Sequence, residues 1–181
     1  MALTKSQNKI QLGGKAPDFT LLGIDGKNHS LKDFQGRPVL IIFMCNHCPY
    51  VKAKINDIKN IQERFNGKLQ IIGINSNDPD YDKEDSFENM KVYAKKGNYN
   101  FIYLFDETQN TARKYGASCT PDPFLFNKSH ELVYHGRIND SMEPNQKAKS
   151  EDMIKAIELT LAGKKIDFEI FPSIGCSIKW K

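Results

Sequence analysis

The sequence has no hydrophobic run long enough to cross a membrane, and its first ten residues lack both an apolar segment after the lysine and any arginine. We therefore expect no membrane span, no secretory signal and no transit peptide, and we expect a cytoplasmic protein. Its lysines are scattered, without the clusters of basic and aromatic residues that nucleic-acid grooves use. The net charge of +4 thus predicts no nucleic-acid partner.

Cysteine is also scarce, since the chain has four. Cys45 and Cys48 form one Cys-x-x-Cys motif, whereas Cys119 and Cys176 are single. This usage fits a reducing compartment better than a secreted scaffold held by disulfides. A structural zinc site would need a second closely spaced pair, which the sequence does not contain. The motif therefore favours redox chemistry over structural zinc.

The motif lies between two patterns of different period. The continuous apolar run at 38–44 predicts a strand buried on both faces, and the apolar residues of 51–65 recur at helical spacing. A cysteine at a strand-to-helix junction is exposed to unpaired backbone N–H groups and to the helix dipole, which stabilise a thiolate. The chain is therefore predicted to be a redox protein.

At 181 residues, with 39% of them hydrophobic, the chain is expected to form one domain over 1–181, with 164–181 as a C-terminal tail. The expected elements are a hairpin over 16–31, strands at 38–44, 69–74 and 101–105, helices at 51–65, 87–97 and 109–115, a second hairpin over 124–134 and a last helix at 153–162. This order predicts an α/β domain with a central sheet and helices on both faces.

Several acidic residues are assigned to the surface. Asp85 and Glu88 have the spacing of a capping box, so we expect Asp85 to end a solvated acidic tract and begin the second helix. We also expect solvated loop charges at four further positions: Asp106, Glu107, Arg137 and Asp140.

Several motifs resemble the redoxin (alkyl hydroperoxide reductase/thiol-specific antioxidant) group of the thioredoxin superfamily, which includes peroxiredoxins and thiol-disulfide oxidoreductases. They are Ala16-Pro17-Asp18-Phe19, Asp25-Gly26-Lys27, the run Pro38 to Phe43, the Cys-x-x-Cys motif and Thr120-Pro121. Further segments are similar to a peroxiredoxin-like family with a CNHCPYV motif: 45–51, 74–78, 106–109 and the tail 172–180. The resemblance implies a thioredoxin fold with an N-terminal β-hairpin extension and a central mixed sheet flanked by helices.

In chains of this kind the position of the first reactive cysteine, counted from the phenylalanine that ends the strand, is taken here by Cys48. Pro49 agrees, because proline is favoured at the first helical position, which makes Cys48 the N-cap. Cys48 is thus the expected nucleophile. Cys45, where peroxiredoxins carry threonine, is the expected resolving thiol. If the helix begins earlier, the two roles exchange.

Other residues have two interpretations each. His47 either assists the thiolate or is an exposed loop histidine. Thr120 and Pro121 resemble a cis-proline element that faces the reactive cysteine, the alternative being a trans turn. Cys119 beside them is either another resolving thiol or a buried apolar cysteine. Asp122 is either a proton acceptor or a turn cap.

Cys176 lies in a tail that either folds over the active site as a further resolving thiol, or reaches a partner subunit, or simply packs through Ile174, Ile178 and Trp180.

The predicted function is thiol-disulfide oxidoreductase, with a thiol electron donor and protein or small-molecule disulfides as partners. One alternative is a peroxidase with antioxidant activity that reduces hydroperoxides through Cys48. The sequence departs from a peroxiredoxin site at Ile41 and Cys45 and has no arginine between Arg113 and Arg137. A second alternative is a copper or zinc module that uses Cys45, Cys48 and either His47 or Cys119. We expect no bound cofactor, and a monomer or homodimer.

Overall fold

The computed structural model describes residues 3–142 and 146–181. Its strands are β1 (Leu3–Lys5), β2 (Thr20–Gly23), β3 (Asn28–Ser30), β4 (Val39–Phe43), β5 (Gln70–Asn75), β6 (Ile102–Phe105), β7 (Cys119–Thr120), β8 (Asp122–Phe126), β9 (Leu132–His135) and β10 (Ile174–Ser177). Its α-helices are α1 (Pro49–Arg64), α2 (Phe87–Lys96), α3 (Asn110–Tyr115) and α4 (Asp152–Leu161). None of the described helices is both long and apolar enough to span a membrane.

Seven strands form a central sheet in the order β3-β2-β6-β5-β4-β8-β9. β4 and β6 pair parallel with β5, whereas β2, β8 and β9 add antiparallel to the two sides. The hairpin of β2 and β3 extends one edge. The expected mixed α/β sheet with an N-terminal hairpin extension is confirmed.

β4 is buried along its whole length because helices cover both faces of the sheet. Leu40 and Ile42 join a core with residues of α1, α2 and α4, while Val39, Ile41 and Phe43 join a second core with α3. Alternation along the strand therefore divides its side chains between two cores. The C-terminal end of β4 lies next to the start of α1, which places the Cys-x-x-Cys motif at the edge of the sheet.

A second, smaller sheet has the order β1-β10-β7. The tail that was expected after residue 164 thus contains a strand, β10, which pairs antiparallel with both β1 and β7. This sheet brings the end of the chain to the segment that precedes Pro121.

Two expectations about acidic residues are wrong. The N-cap of α2 is Ser86, whose hydroxyl accepts from the Asn89 N–H, and Asp85 is instead fully buried. Asp106 is also buried, where its carboxylate accepts from the Ser76 hydroxyl at 2.8 Å and from the Ala112 N–H at 2.9 Å. Both carboxylates organise the interior because buried N–H and O–H groups need acceptors.

The three remaining residues that were expected to be solvated loop charges differ in their exposure. Glu107 is exposed, as expected. Arg137 is half-buried and pairs with Asp152, and half-buried Asp140 accepts from two backbone N–H groups of the segment before α4. The expectation of solvated charges is therefore wrong for these two residues, which fasten the chain ahead of α4.

Candidate active site

Cys48 is the N-cap of α1, and Pro49 occupies the first helical position, as expected. The backbone of Cys48 is extended, with φ −67° and ψ 121°, so the helix begins immediately after it. Cys45 lies in the short connection that leaves β4. The predicted helix start is confirmed, which puts Cys48 closest to the positive end of the α1 dipole.

Three cysteines surround the carbonyl and hydroxyl of Thr120. The Cys48 sulfur lies 3.0 Å from the Cys176 sulfur and 3.2 Å from the Thr120 carbonyl oxygen. The Cys45 sulfur lies 3.5 Å from the Thr120 hydroxyl oxygen. Cys45 and Cys48 are fully buried and Cys176 is 1% exposed. The structure therefore assembles a compact thiol cluster that is closed to solvent.

The thiols differ strongly in acidity. A hydrogen bond from the Cys45 thiol, together with hydrogen bonds from the Thr120 hydroxyl and the Cys176 thiol, outweighs burial and lowers the pKa of Cys48 to about 4. Burial is the largest cause that raises the pKa of Cys45, and the nearby Asp85 carboxylate raises it further. At neutral pH Cys48 is thus a thiolate and Cys45 a thiol, because hydrogen bonds to one sulfur keep the proton on the other.

The Thr120-Pro121 peptide bond is cis, as the resemblance implied. Thr120 belongs to β7, which pairs antiparallel with β10. In this pairing Cys176 lies opposite Thr120, and Ser177 lies opposite Cys119. The backbone beside the thiolate is therefore already paired with the chain's own C-terminal strand.

His47 contacts the buried carboxylate of Asp85, which was expected to lie in a solvated tract at the start of the second helix. Its Nδ1 lies 2.5 Å from one oxygen of Asp85, and the Asn77 amide donates to the same oxygen at 3.0 Å. The other Asp85 oxygen accepts from the backbone N–H groups of Asn46, at 2.7 Å, and of His47, at 3.3 Å. Asp85 thus fixes the loop between the two cysteines, and the alternative of an exposed loop histidine is wrong.

Each member of this pair shifts the ionisation of the other. The hydrogen bond to Asp85 raises the pKa of His47 and outweighs burial. Burial opposes ionisation of Asp85, but hydrogen bonds from His47, Asn77 and the Asn46 backbone prevail and lower the pKa of the carboxyl. The charged pair is therefore the stable form around pH 5 to 6.

Two other candidates lie outside the cluster's direct contacts. The Cys119 sulfur packs against the carbonyl oxygens of Pro121 and Ser173 at 3.8 and 3.9 Å, and burial raises its pKa. Asp122 accepts from His135 Nε2 at 2.8 Å and from a backbone N–H at 3.1 Å, so its carboxylate is engaged in the core at the start of β8. These placements agree with a buried structural cysteine, and they correct the idea of Asp122 as a proton acceptor for the thiols.

Among the residues that the structure describes, Cys45, His47 and Asp85 form a group that could hold a metal, since their ligand atoms lie within 4.8 Å of one another. Each Asp85 oxygen already accepts two hydrogen bonds, and two of these four come from His47 itself, from its backbone N–H and its ring Nδ1. A metal would have to break that network. The geometry therefore favours a hydrogen-bonded support for the redox loop over the metal module.

Sequence reasoning missed Asp85, Asn77 and Gln109. The Asn77 oxygen accepts from the Lys179 N–H at 2.9 Å, and the Gln109 amide donates to the Lys179 carbonyl at 2.8 Å, so both hold the chain that follows β10. The available signal was positional, because polar residues follow the ends of neighbouring strands β5 and β6 at the edge where the motif lies.

Comparison with known proteins identifies the family of the chain. The profile of the AhpC/TSA family matches residues 12–135, more than half of the chain. The chain belongs to the AhpC/TSA family. The resemblance to the redoxin group is thereby confirmed.

Curated relatives of this AhpC/TSA chain include a chloroplastic peroxiredoxin Q from Gentiana triflora, 31% identical over 110 residues, which are 60% of this chain and 47% of that protein. The thiol-disulfide oxidoreductase ResA from Geobacillus thermodenitrificans is 24% identical over 68% of this chain and 67% of its own length. The chain thus aligns with about half the length of the peroxiredoxin Q.

Among solved structures, an uncharacterized conserved protein from Geobacillus kaustophilus superimposes with a TM-score of 0.93 at 39% identity, over 100% of this chain and 97% of that one. A DsbE thiol:disulfide interchange protein, described as putative, from Chlorobium tepidum gives a TM-score of 0.70 at 21% identity over 84% of this chain and 99% of that one. The second likeness concerns the fold alone, and it supports the expected thioredoxin fold.

Proposed function

We propose that this AhpC/TSA protein is a thiol-disulfide oxidoreductase in which Cys48 is the nucleophile and Cys45 the resolving thiol. The observation that carries the proposal is the position of Cys48 at the N-cap of α1, where its pKa falls to about 4. A thiolate at neutral pH is the reactive form in disulfide exchange. The thiol-disulfide oxidoreductase ResA and the peroxiredoxin Q among the relatives support an oxidoreductase of this class.

The proposed reaction proceeds in two exchanges. The Cys48 thiolate attacks one sulfur of a substrate disulfide, a mixed disulfide forms, and the other substrate sulfur leaves as a thiolate. Cys45 then loses its proton to solvent and attacks the Cys48 sulfur, which releases the second substrate thiolate. One external disulfide is thereby reduced to two thiols, while Cys45 and Cys48 lose two electrons and become a disulfide. An external dithiol, acting in reverse, restores the reduced protein.

The test is the rate at which the reduced protein consumes oxidised glutathione. Replacing Cys48 with serine leaves thiols of raised pKa, of which about one in a hundred or fewer is ionised at pH 7, so we expect at least a roughly hundredfold loss of rate. Cys45→Ser is expected to retain the first exchange, in which Cys48 takes up one glutathione. A Cys48→Ser variant that exchanges as fast as the parent would refute the assignment.

The second candidate function is hydroperoxide reduction, favoured by the peroxiredoxin Q relative and by the acidic thiol. Within residues 3–142 and 146–181, the partners of the Cys48 sulfur are Cys45, Thr120 and Cys176, without a guanidinium group to polarise a peroxide. We therefore expect peroxide to react with Cys48 at the rate of an ordinary thiolate. Stopped-flow measurement of sulfenate formation decides between the two, because a rate far above that of a free thiolate would make the peroxidase the main activity.

A further inference from the structure

β10 lies unusually close to the backbone next to the thiolate. A Cβ atom on Gly175 would be 2.0 Å from the Thr120 carbonyl oxygen and 2.7 Å from its carbonyl carbon. A side chain at this position would therefore force the two strands apart. The glycine permits the close approach of β10 to β7, and the next residue, Cys176, is thereby set directly opposite Thr120.

As a consequence, β10 covers the Cys48 sulfur on the side where Cys176 lies. Cys48 is fully buried, and the sulfur in contact with it on the β10 side belongs to Cys176, at 3.0 Å. β10 is held between two strands, because Leu3 of β1 pairs with Cys176 on its other edge. The cluster thus contains a third thiol whose sulfur is already in contact with the Cys48 sulfur.

We propose that Cys176 forms an intrachain disulfide with Cys48 and that this bond fixes β10 over the site as a closed, oxidised form of the protein. The proposal rests on the proposed function, because Cys48 must first react with a disulfide. The resulting mixed disulfide at Cys48 is attacked by the Cys176 sulfur, which has given its proton to solvent, and the second thiolate of the oxidant leaves. Two protein thiols are oxidised and one external disulfide is reduced. The two sulfurs need to approach from 3.0 Å to about 2.05 Å.

The charges around the two thiols allow Cys176 to compete with Cys45 for the mixed disulfide at Cys48. Burial and the Cys48 thiolate raise the pKa of Cys176 to about 12, while Lys179 acts in the opposite direction. Once Cys48 is in a mixed disulfide its negative charge is gone, so burial alone still opposes ionisation of Cys176. Cys45 keeps the Asp85 carboxylate beside it, which continues to raise its pKa. Cys176 can therefore compete with Cys45 as the attacking thiol at that stage.

Disulfide mapping by peptide mass spectrometry tests the pairing. The reduced full chain is treated with oxidised glutathione, quenched with acid and digested at low pH. We expect the Cys48 to Cys176 crosslink beside the Cys45 to Cys48 crosslink in the parent, the Cys48 to Cys176 crosslink without the other in Cys45→Ser, and the Cys45 to Cys48 crosslink without the other in Cys176→Ser. A parent that contains the Cys45 to Cys48 crosslink without the Cys48 to Cys176 crosslink, while still consuming glutathione disulfide, overturns the inference and leaves the proposed function intact.

Gly175→Ala tests the covering role of β10. The added methyl group is expected to loosen the pairing with Thr120 and to raise the rate of Cys48 exchange with oxidised glutathione about tenfold, which corresponds to ~1.4 kcal/mol of weakened pairing. Ile174→Val, a conservative change on the same strand, is the matched control and should leave the rate unchanged. Circular dichroism checks that each variant is folded. If Gly175→Ala is folded and its exchange rate is unchanged, the covering role of β10 is rejected. If the variant is unfolded, the disulfide mapping decides whether the inference stands.

The two failures are distinguishable. If no variant forms a glutathione adduct or a crosslink at Cys48, the proposed function itself fails. If adducts form at Cys48 but Cys176 stays a thiol throughout, the inference fails and the proposed function stands.

Discussion

Asp85→Asn removes one negative charge from the loop that carries the redox cysteines and keeps the shape of the side chain. Of the four hydrogen bonds that Asp85 accepts, the two from backbone N–H groups can be kept by the amide oxygen. The other two, from His47 Nδ1 and Asn77, would meet an NH2 group instead of an oxygen. Charge-assisted hydrogen bonds of this kind contribute about 1.5–3 kcal/mol each. We therefore expect the free energy of unfolding to fall by about 3–5 kcal/mol.

The decrease in the free energy of unfolding caused by Asp85→Asn should depend on pH. The folded pKa of His47 is raised from 6.5, so its contribution is fully present below pH 6.5 and is lost as the pH rises through the folded value. The folded pKa of Asp85 is lowered from 3.8, so its contribution is present above pH 3.8 and is lost as the pH falls through the folded value. The difference between parent and variant should thus be largest near pH 5 and shrink at high pH, where neutral His47 can accept from the amide.

The assay is urea unfolding followed by circular dichroism at a series of pH values. Asp80→Asn is the matched control, since Asp80 lies in the same acidic segment but is exposed and pairs with Lys83 at the surface. The control should leave the free energy of unfolding unchanged within error. A loss below about 1 kcal/mol near pH 5, or a loss that does not vary with pH, would contradict the buried ion pair.

Three further predictions concern the same region. The thiolate absorbance of the reduced protein should titrate with a midpoint near pH 4, and this titration should be absent in Cys48→Ser. Because the folded pKa of Cys48 lies below 9.0, the stabilisation that its thiolate contributes above pH 9 should be lost as the pH falls toward 4. A midpoint near pH 9 would contradict the lowered pKa. Tyr103→Phe removes the buried hydrogen bond from the Tyr103 hydroxyl to the Asn46 side chain at 3.1 Å. It should lower the free energy of unfolding, measured by urea denaturation, by about 1–2 kcal/mol. No loss of stability would mean that the hydrogen bond is not formed. Cys119→Ala should retain the parent's disulfide exchange rate and crosslinks, so a lost crosslink would return Cys119 to the redox site.

The elements that could be predicted from the sequence are those with local causes. β4 and α1 have clear periodicities, and Pro49 fixes the helix start, so the N-cap position of Cys48 follows from adjacent residues. Asp85 could not be placed in this way. Its spacing to Glu88 satisfies a local rule for a helix cap, whereas its actual partner, His47, is 38 residues away and is brought near by the parallel arrangement of β4 and β5. Only the three-dimensional structure shows which of the two roles the buried carboxylate takes.

β10 was missed for a related reason. Four residues with a central glycine and cysteine have little intrinsic tendency to form a strand, and the pairing exists because β1 and β7 lie on either side. Gly175 is informative only once Thr120 is seen against it. The strand in the tail could therefore be predicted only from the positions of β1 and β7, which no local sequence pattern gives.

The segments that resemble the peroxiredoxin-like family with the CNHCPYV motif meet at one place in the fold. Asn77 follows β5, Gln109 precedes α3, and both bind the backbone of Lys179 just after β10. Asn77 also donates to Asp85, the carboxylate that holds His47 and the loop between the cysteines. The position of β10 is thus coupled by direct hydrogen bonds to the support of the redox loop. A displacement of β10 that exposes Cys48 must loosen the Asn77 contacts as well, so access to the thiolate and the geometry around it change together.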